Sequence, residues 1–167
     1  MNSTKKQLLK QLSTNIEKVN YKKRLLNQCV EMIEQRIAAA VMAIENAQSA
    51  ANAEEKSSAG DKYETSRAMS HLEKDMYSRQ LLANQQELEA LLNVDCDMLY
   101  GNITMGSIVF CKEYAFFIAA GLGKINFEGM EVYLVSPVAP MAKLMFNKKV
   151  GAFFAFNKME LLITATF

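Results

Sequence analysis

The sequence predicts an α+β chain: a long antiparallel helical hairpin of coiled-coil type, followed by a small antiparallel β domain with one short helix. Three observations predict it. Between Met1 and Gly101 the only glycine is Gly60 and proline is absent, so about a hundred residues carry a single break. Before that break, apolar or small residues recur at Leu26, Val30, Ile33, Ile37, Val41, Ile44, Ala47 and Ala51. These steps of three and four are the rhythm of a coiled-coil seam. From Met105 onward the texture changes to short aromatic or β-branched runs between turn signals: GSIVF, EYAFFIAA, EVYLVS, AFFAF and MELLITATF.

Taken in order, residues 1–21 carry a helical stripe of Leu8, Leu9, Leu12, Ile16 and Val19. They are either a separate helix or a forward extension of the next one. The hairpin is expected over 22–94, with arms Lys22 to Glu54 and Lys62 to Asn93 and its far end at 56–64. At ~1.5 Å per residue each arm would extend ~50 Å. In the second arm Thr65, Met69, Leu72 and Met76 continue the stripe, which then shifts phase to Leu81, Leu88 and Leu92. Residues 95–104 read as a linker and 105–167 as the β-rich domain. Within it, Asn157-Lys158 reads as a tight connection, and SPVAPMAKLMFNKKVG as a short helix that starts near a proline and stops before Gly151. Phe116, Phe117, Phe153, Phe154 and Phe156 are expected in its core.

Composition narrows the function classes. A chain of 167 residues with 50% hydrophobic and 22% charged residues is globular, and a net charge of +1 advertises no bulk nucleic-acid or membrane binder. The start, MNSTKKQLLKQLSTN, lacks the apolar stretch of a secretory signal, and the longest apolar run, Ala115 to Gly123, is too short for a membrane helix. Cys29, Cys96 and Cys111 are odd in number and widely spaced, as expected of buried thiols in a reducing compartment, and His71 stands alone. A cytoplasmic protein with no membrane role is the expectation.

The stretch SSAGDKYETSRA, Ser57 to Ala68, forms the break, and Asp61 and Glu64 stand three apart in it. That spacing suits a capping box, with Asp61 at N-cap and Glu64 at N3. Two carboxylates at the exposed end of a long arm also suit a metal site. Both readings stay open. Lys56, Lys62 and Arg67 surround the pair and weaken its negative potential. Arg67 and Lys74, seven apart, share a helical face. Tyr63 adjoins the acids.

This combination resembles the bacterial GreA/GreB family of transcript-cleavage factors, across roughly Lys22 to Phe167. SSAGDKYETSRA resembles the family's acidic turn, in which Asp-x-x-Glu opens the second helix. GSIV, Gly106 to Val109, resembles the strand that opens the family's FKBP-like domain. LVSPVAPMAKLMFNKKVGAFFAF resembles its passage from Ser-Pro through a short helix into the last strands, although Val135 stands where many members carry an acidic or amide residue. The resemblance implies an FKBP-like fold for 105–167 and RNA polymerase as partner, with the hairpin inserted into the secondary channel. It implies that Asp61 and Glu64 act catalytically there by holding a Mg²⁺ shared with the polymerase, which cleaves its own backtracked transcript. The factor is then not an enzyme by itself and has no cofactor of its own. Ser136 and Pro137 would bind polymerase, and Arg67 and Lys74 would contact nascent RNA.

Three other readings compete. The lysines beside the acids suit a channel-binding regulator that modulates or inhibits without stimulating cleavage. A prolyl isomerase would need an open aromatic pocket, and 105–167 is short and lacks tryptophan. A self-associating coiled coil would need bulkier residues than the alanines near the break, so a monomer is expected.

Overall fold

The structure, a computed structural model, describes residues 8, 11–54, 61–111, 114–156 and 159–167. It is α+β, with two long helices followed by a six-stranded mixed sheet. Helix α1 spans Asn15–Glu54 and α2 spans Asp61–Leu92. The strands are β1 (Ile108–Cys111), β2 (Ala115–Ile118), β3 (Gly123–Phe127), β4 (Met130–Val135), β5 (Phe153–Phe156) and β6 (Met159–Thr166). A short helix α3, Pro140–Met145, lies between β4 and β5. The chain divides into two compact units, Met1–Val30 with Glu89–Phe167, and Glu31–Leu88.

In the first unit, α1 begins at Asn15, so residues 15–21 are a forward extension of the first arm. A capping box sets that start. Thr14 N–H donates to Glu17 Oε2 at 2.8 Å, and Glu17 N–H donates to Thr14 Oγ1 at 3.2 Å. The bond from the Thr14 backbone, more than any other contact, holds the Glu17 carboxyl below its usual pKa.

The sheet order is β3-β4-β2-β1-β6-β5. All pairs are antiparallel except β2 with β4, which is parallel, so the expected all-antiparallel sheet is corrected to a mixed one. The reason is the hairpin β3–β4, whose first strand, GKINF, is not one of the apolar runs. Its two-residue turn, Glu128 at φ 49° and Gly129 at φ 78°, has both central residues left-handed, as a type I′ turn requires. Strand β3 exposes Gly123, Lys124 and Asn126, whereas β4 carries Tyr133, Leu134 and Val135. The more apolar strand takes the inner position, and entering second it runs parallel to β2.

The central strands β1 and β2 are buried at every residue, which explains their unbroken apolar runs IVFC and AFFI. Val109, Cys111, Phe116, Ile118, Phe154, Leu161 and Ile163 form one core with Ala142 and Met145 of α3. Alternation along the strands sends Ile108, Phe110 and Phe117 to the opposite face. There Phe110 meets Phe167 at 5.9 Å, and Tyr21 of α1 packs edge-on against Phe127 and Phe167 at 5.1 and 6.4 Å. Residues 95–104, expected as a linker, supply Ile103 to the core, and Ile103 exchanges backbone hydrogen bonds with Asn147 and Lys148. Phe116, Phe117 and Phe154 are buried as expected, but Phe153 is 52% exposed. The side chain of Phe156 and the Asn157-Lys158 connection lie outside the described residues. Pro140 sits in the first turn of α3 and the helix ends before Gly151, as the sequence predicts, and Asn147 and Gly151 beyond its end are left-handed. The three cysteines are free and buried, and burial alone pushes the Cys29 thiol up to about 12.

Lys22 is wholly buried in this unit. Its Nζ donates to Met98 C=O at 2.7 Å and lies 5.0 Å from the Tyr100 ring centre. Burial pushes its pKa below the ordinary lysine value of 10.5.

In the second unit the buried positions of α1 are Ile33, Ala40, Ala47 and Ala51. Among the described residues of α2 in this unit, Ser70, Lys74, Tyr77, Leu81, Asn84 and Leu88 are buried or half-buried in alternating steps of four and three, with Glu87 half-buried beside Leu88. The heptad spacing is present, but the apolar stripe expected at Met69, Leu72 and Met76 is not its seam. Those residues are 61%, 69% and 53% exposed. Polar residues occupy half of the α2 seam, so apolar periodicity picks the wrong phase.

Two stability predictions follow from the first unit. Gly106 has φ +82° and a Cβ there would meet Val94 Cγ1 at 3.2 Å, whereas a Cβ at Gly101 would meet nothing within 4 Å. Gly106→Ala is expected to cost about 1–2 kcal/mol in urea unfolding, and Gly101→Ala much less. For Lys22, the unfolded chain binds more protons than the folded one between the depressed folded pKa and 10.5. Stability therefore rises with pH across that window. The urea midpoint of the natural chain is expected to climb relative to Lys22→Met between neutral pH and 10.5, and a flat difference would refute the assignment.

Candidate functional site

The acidic pair sits at the start of α2. The backbone is helical from Asp61, so Asp61 and Glu64 both fall in the first turn of the 32-residue helix. Their side chains, with those of Lys62, Tyr63 and Arg67, and residues 55–60 including Lys56, lie outside the described residues. The choice between cap and metal ligand therefore rests on the sequence reading. Among the described residues no group of three or more His, Cys, Asp or Glu side chains is placed to hold a metal ion.

Lys74 is half-buried, and its Nζ donates to Gln48 Oε1 of α1 at 2.6 Å. The neighbouring Gln48 side chain in turn donates from Nε2 to Asn52 Oδ1 at 2.8 Å. Lys74 thus fastens one helix to the other within the second unit, beside Ile44, Glu45 and Ser49. Its ammonium has further donors, so the bond to Gln48 does not by itself use up the group.

Ser136 and Pro137 are half-buried between β4 and α3, with Ser136 C=O accepting from Ala139 N–H at 3.0 Å. That turn leaves Val138 73% exposed and leads into α3, whose outward residues are Pro140, Lys143 and Leu144. The spacing of these three puts them on one face of the short helix. Val135, which precedes the motif, packs against the core. His71 is exposed.

One further concavity, of about 300 Å³, lies in the first unit and is lined in part by Leu12, Glu17, Asn20, Arg24 and Glu128. Arg24 Nε and Glu128 Oε1 pair at 2.7 Å and Glu17 is held in its capping box, so each of these three charges is already engaged. The arrangement contains no nucleophile set beside a base. No described helix is long and apolar enough to cross a membrane.

A double-mutant cycle checks the role given to Lys74. Lys74→Met and Gln48→Leu are expected to couple by about 0.5–1 kcal/mol in urea unfolding, and strict additivity would place the lysine outside the helix contact. No family model, curated protein or solved structure matches the chain.

Proposed function

We propose that the protein is an RNA polymerase-binding elongation factor whose two long helices form an antiparallel coiled-coil hairpin. The hairpin enters the secondary channel and presents Asp61 and Glu64 to the active centre. One observation carries this reading: Asp61 and Glu64 open a 32-residue helix that follows a 40-residue helix after only residues 55–60. Helices of such length with a paired acidic opening suit delivery of carboxylates to a remote catalytic centre. The sheet, with Ser136-Pro137 leading into α3, supports a docking role for an FKBP-like domain.

In this mechanism the two carboxylates help hold a Mg²⁺ shared with the polymerase. Two-metal hydrolysis stabilises attacking and leaving oxygens together, and the factor's part is to donate ligands and orient water. Arg67 and Lys74 are the candidate contacts to nascent RNA, Lys74 from its place between the helices. A second reading, channel binding that modulates or inhibits without cleavage, is favoured by Lys56, Lys62 and Arg67 beside the acids.

The test is cleavage of a backtracked complex by the natural chain and by Asp61→Ala/Glu64→Ala. Under the first reading the double variant loses about 100-fold or more of the stimulation, the size of loss seen when a preorganised electrostatic group is removed. It still competes with the natural chain for polymerase. Absence of stimulation by the natural chain, with channel binding intact, would select the second reading.

A further inference from the structure

The two edges of the sheet are built differently. Strand β3, at one edge, carries Lys124 and Asn126 outward, and Lys124 Nζ pairs with Glu131 Oε1 at 2.7 Å. Charge at an edge discourages pairing with another chain. Strand β5, Phe153–Phe156, occupies the other edge and contains no charged residue. It pairs with β6 on one side only. An antiparallel ladder uses alternate backbone groups on each side, so among the described residues the N–H and C=O groups on the outer side of β5 have no ladder partner. Phe154 turns into the core with α3, while Phe153 and Ala155 face outward, Phe153 at 52% exposure. Just before the strand stand Lys148, exposed Lys149 and Val150, the last 55% exposed.

The stretch of sequence that contains β5 is one-sided in charge. Between Glu131 and Glu160 the sequence has no Asp or Glu but carries Lys143, Lys148, Lys149 and Lys158. Glu160, paired in register with Ala155, is the nearest acid on β6. A second copy of this chain would bring the same acid-free, lysine-bearing segment to the edge, and like charges would oppose it. An extended segment bearing carboxylates meets no such penalty and gains ladder hydrogen bonds together with contact to Phe153.

We propose that β5 is a strand-addition site for an acidic extended segment of another protein, seated along Val150, Phe153 and Ala155 with Lys148 and Lys149 as its electrostatic anchor. The site is independent of the acidic opening of α2 and does not rest on the proposed function.

The experiment titrates the full chain into a fluorescein-labelled acetyl-EVEVEVE-amide and follows anisotropy. Two control peptides are KVKVKVK, which reverses the charge, and EVEPEVE, which keeps charge but interrupts pairing. EVEVEVE is expected to bind roughly tenfold or more tightly than either control, and to weaken as salt rises. Phe153→Ser, and separately Lys148→Glu/Lys149→Glu, are expected to lower affinity by roughly tenfold each, with far-UV circular dichroism confirming that each variant folds. Equal binding of EVEPEVE would mean attraction without pairing and would overturn the proposal. So would absence of EVEVEVE binding, or sedimentation showing a dimer that Phe153→Ser dissolves.

Discussion

A sheet that is apolar on both faces has to be covered twice, and the first compact unit is organised around that requirement. Strands β1 and β2 bury every residue, so neither of their faces can meet water. Helix α3, six residues long, covers only the face that carries Val109, Phe116 and Ile163. The other face is met by the start of α1, through the edge-on packing of Tyr21 on Phe127 and Phe167. Nearby contacts reinforce this: Lys18 lies 5.8 Å from the Phe167 ring centre, and Arg24 pairs with Glu128. The same packing leaves the Tyr21 hydroxyl buried without a partner among the described residues and pushes its pKa well up. Apolar coverage outweighs the loss of one hydroxyl's hydrogen bonds.

The second unit solves a different problem with weaker materials. Its α2 seam alternates Leu81 and Leu88 with Ser70, Lys74 and Asn84, so it buries less apolar surface than an all-leucine seam would. Polar residues at such positions cost stability and restrict how helices can register. The Lys74–Gln48 bond is that kind of restriction. Asn84 is 9% exposed with its Nδ2 unpaired among the described residues, so it contributes cost without a visible bond.

How much was legible follows from which residues obey their type. The two helices were readable because glycine and proline are absent from them, and α3 because Pro140 marks its first turn. The short strands were readable from their apolar runs. Strand β3 was not, because its turn places Glu128 in a left-handed conformation that glutamate seldom adopts, where Asn-Gly would have announced a hairpin. The partnership of α1 with the sheet was hidden by Lys22, a residue type that is almost never fully buried, here sealed by Met98 and Tyr100. The seam of α2 was misread because Met69, Leu72 and Met76 are apolar yet outward. At the candidate site, spacing singles out Asp61 and Glu64, and the backbone is helical from Asp61 onward. Whether they cap or coordinate is a matter of side-chain direction, which spacing does not encode.

The discontinuity of the first unit bears on how the protein emerges from a ribosome. Residues up to Val30 belong with Glu89–Phe167, so the helix start that covers the sheet is made well before its counterpart. At ordinary rates of synthesis the gap is on the order of ten seconds. Throughout it Tyr21 has no sheet to pack on, while the intervening Glu31–Leu88 segment is already available to fold. The usual N-terminal-first order of folding is thereby inverted: the middle of the chain can settle before its beginning does. A nascent chain truncated before β6 would lack Phe167, one of the two rings that receive Tyr21, and would leave that apolar helix face open to capture by other chains.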